Sequence, residues 1–407
     1  MLLLLPSATY RAADFLAAAE GLGVEIAVAS ERRQAMSALM GDRALVIPLR
    51  RPEEAADRIV ALAERTPLDA VVAVDDGGVA TAALASERLG LEHNSPRAAL
   101  AARDKGAMRA ALAKAGVTQP RHRPLARDED AGEAASEVGL PCVIKPVGLS
   151  GSRGVIRADD PAGARAAAER VRAILAAAGE DAGVPLLVEQ FVPGAEVAVE
   201  GLLRSGRLET LAIFDKPDPL DGPFFEETIY VTPSRLPGDV QAAVGHTVAA
   251  AAAALELREG PVHAELRLPG GPPVVLELAA RSIGGLCSRA LRFGAGVSLE
   301  EVILRHALGL PLEGLRREAA ASGVMMIPVP SAGRLREVAG QEGARSIPGV
   351  VGLEISIPPG GTLVPLPEGD RYLGFIFARG NTPEEVEVAL RAAHAELDVV
   401  AAAAEAA

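Results

Sequence analysis

The chain is poor in the residues that define disulfide-rich, zinc-binding and membrane-spanning proteins. Its only cysteines among 407 residues are Cys142 and Cys287, and two isolated thiols make neither a disulfide framework nor a zinc site. Pro6 ends the leucine run at residues 2–5, which has no basic segment before it and so does not resemble a signal peptide. No apolar run approaches the ~20 residues that span a bilayer. We therefore expect a cytoplasmic protein without membrane contact.

Positive charge is also scarce. Lys and Arg total 41 against 54 Asp and Glu, which gives a formal net charge of −13. An acidic chain without a basic tract is a poor candidate for binding nucleic acid or an anionic membrane, because both carry dense negative charge. A local cluster of cations together with Mg²⁺ would still suffice to bind the phosphates of ATP.

Aromatic residues make up only 3% of the chain, while hydrophobic residues make up 49%. Small aliphatic residues must therefore form the cores, and the length suits two or three domains. In the first part, short apolar strands alternate with helices, which predicts a parallel sheet with helices on both faces. No GxGxxG follows the first strand, so a dinucleotide fold has no support. The strands are expected at residues 2–5, 24–29, 46–49 and 70–74, and the helices at about 10–21, 53–65 and 77–89.

Asp75 and Asp76, followed by Gly77 and Gly78, stand where a predicted strand ends and a helix begins. Open α/β sheets bind ligands at such places. An ordinary helix cap and turn is an equally good interpretation.

Two further units are expected after the turn at residues 94–96. A helix carries Lys105 and ends at Gly116, and residues 120–124 form a linker. Residues 215–238 should form a long loop, and loops of that length usually bind a ligand or are disordered. The predicted domains are residues 1–95 (α/β), 96–310 (with a small subdomain at about 120–192) and 311–407 (small, α+β, with a frayed tail at 401–407).

A lysine and a glycine-rich stretch form the first cluster that suggests chemistry. Lys145 ends an apolar strand, and residues 148–154, which include Gly151 and Ser152, follow it. Glycines let backbone N–H groups approach phosphate oxygens closely, and the lysine adds a positive charge. The stretch is not a Walker loop, because no Gly-Lys-Ser/Thr follows the glycines. Taken alone, a simple chain turn is an equally good interpretation.

Four glutamates on predicted strands and turns form the remaining clusters. Glu189 ends an apolar strand, and Glu196 follows a short turn. A backbone edge there could pair with adenine, and a carboxylate could hold ribose. Taken alone, this segment is better interpreted as a strand, a turn and a second strand with solvated acids. Glu265 and Glu277 lie on the two strands of a predicted hairpin among apolar neighbours, where acids are rarely left unpaired. Because Mg²⁺ prefers carboxylates and phosphates, we favour a metal site over a structural salt bridge. Arg281 follows, close to Gly284 and Gly285.

The order of these motifs over roughly residues 95–310 resembles the ATP-grasp superfamily. Within it, the chain looks most like the carboxylate–amine ligases that join L-amino acids, and more distantly like biotin carboxylase. The resemblance implies an ATP-grasp fold, α/β and α+β in class, with a Rossmann-like domain before it and a small α+β domain after it. It also implies ATP and two Mg²⁺ ions as cofactors, with Mn²⁺ as an alternative ion.

The resemblance further implies a role for each motif residue. Lys105 and Lys145 would contact the ATP phosphates, and the loop with Gly151 and Ser152 would close over them. Arg281 would stabilise the acyl-phosphate and the tetrahedral intermediate. The adenosine would be held by Glu189, the backbone of Gln190 and Val192, and Glu196, and the metal ions by Glu265 and Glu277.

Two departures from the family pattern concern the metal and the substrate. Ala279 stands where many relatives carry an asparagine metal ligand. Glu227 and Tyr230 match a Glu and a His that bind the amine side, so Tyr replaces His. Gly284 and Gly285 would accommodate the acyl side. His263 is expected to be a satisfied core histidine, and Cys287 a buried inert thiol rather than part of the substrate pocket.

The expected function is an ATP-dependent ligase that activates a carboxylate as an acyl-phosphate and joins it to an amine, with release of ADP and phosphate. A carboxylase-like enzyme that makes carboxyphosphate and a non-catalytic ATP-binding protein are the alternatives. The partners would be a small-molecule carboxylate and amine, and a homodimer is left open.

Overall fold

The computed structural model describes residues 1–7, 9–32 and 43–403. Its first sheet has four parallel strands in the order β3-β2-β1-β4. Side chains of β1 alternate between two cores: Leu3 packs with Phe15, while Leu2 packs with Ile59. The predicted parallel sheet covered on both faces is thereby confirmed. Its elements are β1 (Leu2–Leu4), α1 (Ala12–Gly21), β2 (Ala27–Ser30), β3 (Ala44–Val46), α2 (Pro52–Ala63), β4 (Val71–Ala73) and α3 (Asp76–Leu89).

The single helix expected after residue 96 is wrong: the structure divides it into α4 (Pro96–Arg103) and α5 (Lys105–Ala115). Asp104 between them is extended, and its side chain accepts the N–H of Ala107 as an N-cap. Such caps satisfy the free N–H groups of a new helix. The N–H of Lys105 donates to Val147 O (3.0 Å), which ties the break to the strand region that carries Lys145.

A small antiparallel sheet in the order β5-β8-β6-β7 follows. The linker expected at residues 120–124 is wrong in part, because β5 begins within it and pairs with β8. Its elements are β5 (His122–Leu125), α6 (Ala131–Val138), β6 (Cys142–Lys145), β7 (Ile156–Ala158), α7 (Pro161–Ala177) and β8 (Leu186–Gln190).

The remaining strands build an eight-stranded sheet in the order β13-β12-β9-β10-β11-β14-β18-β16 and a three-stranded sheet in the order β17-β15-β19. Their strands are β9 (Ala195–Arg204), β10 (Arg207–Lys216), β11 (Ile229–Thr232), β12 (Gly260–Leu268), β13 (Val274–Ala279), β14 (Ala321–Ile327), β15 (Gly333–Ala339), β16 (Val350–Ile355), β17 (Thr362–Leu363), β18 (Gly374–Gly380) and β19 (Asp398–Ala402). The helices are α8 (Gly238–Ala254), a 3₁₀ turn (Cys287–Ala290), α9 (Leu299–Ala307), α10 (Gln341–Ser346) and α11 (Pro383–Ala395).

Two sequence expectations about this region fail. The loop expected at residues 215–238 contains β11, whose four residues are buried and pair with β14. The tail expected at 401–407 begins inside β19, which pairs with β15, and residues 404–407 lie outside the described part of the chain. The large sheet draws strands from both sides of residue 310, and the division into three domains stays a prediction.

The N-terminal sheet is joined to the large sheet through one continuous core. Leu3, Phe15 and Val72 belong to the same buried cluster as Ile283 and Phe375. This packing brings the carboxyl end of β4 against the segment that follows β13. Within the described ranges, no helix combines the length and the apolar character that crossing a bilayer requires.

Candidate active site

One cavity of about 430 Å³ lies between the N-terminal sheet, the small sheet and the large sheet. Every residue that the sequence singled out for nucleotide, metal or substrate lines it, although these residues come from eight segments of the chain. Asp75, Asp76, His263 and Cys287 line it as well. The motifs are therefore brought together, while the role of each residue stays a prediction.

A buried charge cluster forms one wall. The Glu189 carboxylate accepts hydrogen bonds from Arg109 Nε (2.5 Å) and Nη2 (3.2 Å), and Lys145 Nζ lies 2.7 Å from it. Burial alone would raise the pKa of Glu189, but Arg109 and Lys145 outweigh it and lower that pKa to about 2. Burial also lowers the pKa of Lys145, against the attraction of Glu189. Glu189 thus anchors Lys145, and its predicted part in holding the adenosine stays a prediction.

Lys105 links the glycine loop to the hairpin. Its ammonium donates to Leu149 O (2.8 Å) and lies 3.2 Å from Glu277 Oε1. It can do so because the helix break at Asp104 places it on the first turn of α5, facing the cavity. Within the loop, Gly151 and Ser152 adopt left-handed φ values of 67° and 54°.

The predicted hairpin is confirmed, and its register places Glu265 directly opposite Glu277. Their side chains nevertheless meet different partners: Glu277 meets Lys105, whereas Glu265 joins Glu196 and Glu227. One carboxylate oxygen from each of these three acids lies within 4.8 Å of the others. Such a convergence can hold a cation.

Lys216, at the end of β10, compensates these three acids, and the sequence analysis missed it. Its buried ammonium lies 2.7 Å from Glu196 Oε1 and 3.2 Å from Glu265 Oε1, and it donates to Glu227. Burial would lower the pKa of Lys216, but the three carboxylates raise it well above its ordinary value. The signal in the sequence was the spacing: Lys216 follows Phe214 by two residues, so both side chains lie on the same buried face of β10.

The amine-side motif is held by tyrosines. Tyr230 donates its hydroxyl to Glu227 Oε1 (2.5 Å), and the Tyr372 hydroxyl lies 3.5 Å from Glu227 Oε2. Tyr10 also lines the cavity, so all three tyrosines of the chain do so. Burial raises the pKa of Glu227 to about 7 against the pull of Lys216. Tyr372 and Tyr10 were missed because they lie far from every motif in sequence.

The expected adenine edge keeps one free donor. The N–H of Gln190 donates to Arg121 O (2.8 Å) and that of Phe191 to Pro141 O (3.0 Å). The N–H of Val192 makes no hydrogen bond within the described residues and therefore stays available. Beyond it, Glu196 is fixed by Lys216 and by Arg267, whose Nε lies 2.8 Å away.

Arg281 and the following glycines form the opposite wall. Arg281 Nε and Nη2 each lie 3.0 Å from Asp76 Oδ2. Gly285 has a φ of +60°, and a Cβ there would stand 2.9 Å from Phe375 Cε1, whereas a Cβ on Gly284 would meet nothing within 4 Å. Gly285 is thus required by packing, and Gly284 leaves open space in the cavity.

His263 and Cys287 behave as buried residues that also reach the cavity. His263 Nδ1 lies 2.5 Å from Glu200 Oε1, and its Nε2 lies 3.5 Å from Glu265. Burial would lower the pKa of His263, but Glu200 outweighs it and raises that pKa to about 9. Burial raises the pKa of the Cys287 thiol, which keeps it protonated.

Family models match three successive parts of the chain. A model of the ATP-grasp N-terminal domain matches residues 16–93, one of the ATP-grasp domain matches residues 138–290, and one of the L-amino acid ligase C-terminal domain 2 matches residues 325–402. The chain belongs to the ATP-grasp superfamily, as the order of its motifs predicted. The third match shows that residues 325–402 are similar to the C-terminal domain 2 of L-amino acid ligases.

Individual relatives agree with this placement. Alanine–anticapsin ligase of Bacillus subtilis is 29% identical over 269 residues, which are 62% of this chain and 56% of that protein. D-alanine–D-alanine ligase of Aromatoleum aromaticum is 35% identical over 182 residues, 44% of this chain and 55% of that protein. The crystal structure of L-amino acid ligase from Bacillus licheniformis superposes with a TM-score of 0.81 at 25% identity and covers 98% of each chain. The chain thus spans just over half the length of these two curated relatives.

Proposed function

We propose that this protein is an ATP-dependent carboxylate–amine ligase that acts on an amino acid. It would activate a carboxylate as an acyl-phosphate and join it to an amine, with release of ADP and phosphate. The observation that carries the proposal is the meeting of Lys105, Lys145 and Arg281 with the opposed pair Glu265 and Glu277 around one cavity. The likeness to an L-amino acid ligase along nearly the whole chain favours it over a carboxylase-like enzyme.

The donor set fits ATP and Mg²⁺, which the ATP-grasp family generally binds. The Glu265 and Glu277 side chains are 23% and 29% exposed, and carboxylates with phosphates are the ligands that Mg²⁺ prefers. A bound Mg²⁺ would neutralise phosphate charge and polarise the transferring group. We propose two ions, with Mn²⁺ as an alternative. Ala279 offers no ligand atom, so the second ion has one protein ligand fewer.

The nucleotide would lie along the wall built by the small sheet. The free N–H of Val192 and the backbone of Gln190 would pair with the adenine edge. Glu196 would hold the ribose with the lone pairs that Lys216 and Arg267 leave, and Glu189 would keep Lys145 directed at the phosphates. The loop with Gly151 and Ser152 would then cover the triphosphate and exclude water from the reacting group.

The chemistry follows from where the cations lie. A substrate carboxylate oxygen attacks the γ-phosphorus and ADP leaves, while Lys145 and Arg281 offset the charge that develops. The amine nitrogen then attacks the carbonyl carbon, the bond from that carbon to the phosphate oxygen breaks, and the amine loses a proton. Glu227, fixed by Tyr230, would orient the amine side, and the open space at Gly284, beside Gly285, would take the acyl side.

The substrates would be small molecules, and Tyr230 in place of a histidine leaves the identity of the amine partner open. A cytoplasmic location and the oligomeric state stay predictions.

Phosphate and ADP release with Mg-ATP and a panel of amino acids tests the function. We expect release that depends on an amino acid, together with a new amide detected by mass spectrometry. Glu277→Gln should abolish this release because it removes a metal-binding charge. Glu209→Gln, the same change at an exposed residue of the same sheet, serves as the matched control. Release that requires bicarbonate and ignores amines would sink the proposal, and so would full activity of Glu277→Gln.

A further inference from the structure

The acidic pair at the end of β4 is the one sequence motif that the ligase chemistry does not use. Asp75 and Asp76 start α3, yet neither acts as its side-chain cap: Asp75 is the N-cap residue and makes no side-chain cap hydrogen bond. Asp76 instead reaches Arg281, 205 residues further along the chain. This contact spans the junction between the N-terminal sheet and the hairpin that carries Glu277.

The position of Asp76 is fixed by close packing of the helix start. A Cβ on Gly78 would lie 3.0 Å from Leu4 Cβ and 3.2 Å from Ala73 Cβ. The first turn of α3 therefore packs so closely on β1 and β4 that a side chain at Gly78 would require its neighbours to move by a few tenths of an ångström. Because Asp76 lies two residues earlier, its carboxylate has little freedom to move relative to the sheet.

The guanidinium of Arg281 is correspondingly held on three of its donors. Nε and Nη2 both meet Asp76 Oδ2 at 3.0 Å, and Nη1 donates to Ser282 O (2.9 Å). The Arg281 side chain is only 11% exposed. Burial would raise the pKa of Asp76, but Arg281 outweighs it and keeps that pKa below its ordinary value. Both groups are thus charged, and Arg281 lines the cavity.

The segment that follows Arg281 is fastened to the N-terminal sheet as well. Arg11, fully buried, donates to Ser282 Oγ (2.8 Å) and to Val74 O (3.3 Å) and pairs with Glu300 (2.9 Å). Arg11 thus connects the last residue before Asp75 with the residue after Arg281. The two chain segments cannot shift past one another without breaking buried hydrogen bonds.

We infer that Asp76 is a positioning residue, which sets the orientation of Arg281 toward the transferring phosphoryl group, so that the N-terminal domain completes the active site. The inference rests on the proposed function for the task of Arg281. When one edge of an arginine's planar guanidinium group is held by hydrogen bonds, the other edge is held in a fixed geometry as well. Displacement of a catalytic group by about 1 Å can cost about a hundredfold in rate.

A double-mutant cycle on Asp76 and Arg281 tests this assignment with two readouts. The first is the turnover number for amino-acid-dependent ADP release. The second needs no ligase activity: it is the gain in ADP affinity when fluoroaluminate, a mimic of the transferring phosphoryl group, is added with Mg²⁺. Glu87→Gln removes an exposed charge from the same helix, α3, and is the matched control.

Asp76→Asn should lower the turnover number and the fluoroaluminate gain by about 10- to 100-fold, with ADP affinity alone within about threefold of wild type. Arg281→Ala should lose at least as much, and adding Asp76→Asn to it should cost nothing more, because residues that act through one another are not additive. Glu87→Gln should match wild type. If Asp76→Asn does not fold, Asp76→Glu takes its place, since it keeps the charge but displaces the carboxylate.

The inference is overturned if Asp76→Asn retains the fluoroaluminate gain, or if its loss adds fully to that of Arg281→Ala. Failure of the proposed function looks different. A wild-type protein without amino-acid-dependent turnover, but with a non-additive loss of the fluoroaluminate gain, would refute the ligase and support the positioning role.

Discussion

Replacement of Glu189 by glutamine tests the buried charge cluster beneath the cavity. The three side chains of this cluster, Arg109, Glu189 and Lys145, are 0%, 3% and 8% exposed. Glutamine keeps the shape of the side chain but leaves the Arg109 guanidinium and the Lys145 ammonium without a buried counter-charge. We therefore expect the variant to be less stable and to hold Lys145 less firmly.

The size of the expected loss of stability follows from the pKa of the Glu189 carboxyl group. Its pKa falls from 4.5 to about 2 in the folded protein, and each pH unit of such a change corresponds to about 1.4 kcal/mol, so the charged form contributes about 3 kcal/mol. Breaking a buried ion pair on one side costs about 3–5 kcal/mol. Glu189→Gln should thus lower the free energy of unfolding by about 3–5 kcal/mol at pH 7.

The stability difference between wild type and Glu189→Gln should also depend on pH, in a defined direction. A carboxyl group whose pKa is lower in the folded protein stabilises the fold fully above its unfolded-state pKa of 4.5. This stabilisation is lost as the pH falls through about 2. Urea unfolding between pH 7 and pH 2 should show the gap between wild type and Glu189→Gln narrowing toward acid. Glu209→Gln serves as the exposed control. A loss of less than about 1 kcal/mol in the free energy of unfolding at pH 7 would refute the reasoning, because removing one partner of a buried ion pair costs more than that. A gap that does not change with pH would also refute it.

Two further changes test other parts of the cavity wall. Gly285→Ala should lower the free energy of unfolding by about 1–3 kcal/mol, since it places a side chain on a left-handed backbone and against Phe375. Gly284→Ala, which adds a methyl group in open space, is the control in the same thermal melt. Equal losses of stability in the two variants would contradict the packing argument. Lys216→Met leaves three converging carboxylates without their ammonium, so Mg²⁺ should raise the melting temperature of this variant more than that of wild type. An equal Mg²⁺ effect on the two proteins would contradict that account.

Sequence patterns predicted the elements whose contacts are local. The hairpin of β12 and β13 has its own turn, so alternation and turn chemistry sufficed to place Glu265 opposite Glu277. The parallel N-terminal sheet pairs strands that are distant in sequence, and the regular alternation of strands and helices predicted it nonetheless. The break at Asp104 was missed because one capping side chain overrides helix propensity, and a single aspartate inside a helical pattern is a weak signal.

Contacts between distant segments that follow no regular alternation were not predictable in this way. β11 was taken for loop because all four of its residues pair with β14, which lies about ninety residues later, whereas it pairs with the preceding strand β10 at one position. Lys216 was overlooked for the same reason. Its three partners, Glu196, Glu227 and Glu265, lie on three other segments, and a lysine at a strand end is usually solvated. Only the order of strands in the large sheet makes it the centre of the acidic cluster.

The pair of Asp76 and Arg281 shows how local spacing can fix the position of a residue and leave its role open. From sequence, Asp75 and Asp76 were equally well a helix cap or a ligand site, because both interpretations require only that a strand end and a helix begin there. The structure supports a third role, since Asp76 neither caps α3 through its side chain nor stands free for a ligand. What decides it is the docking of the N-terminal sheet on the segment after β13, which Arg11 and the shared core fix. An ion pair made by domain docking leaves no trace in local spacing, so the N-terminal domain's contribution to the active site could be found only in three dimensions.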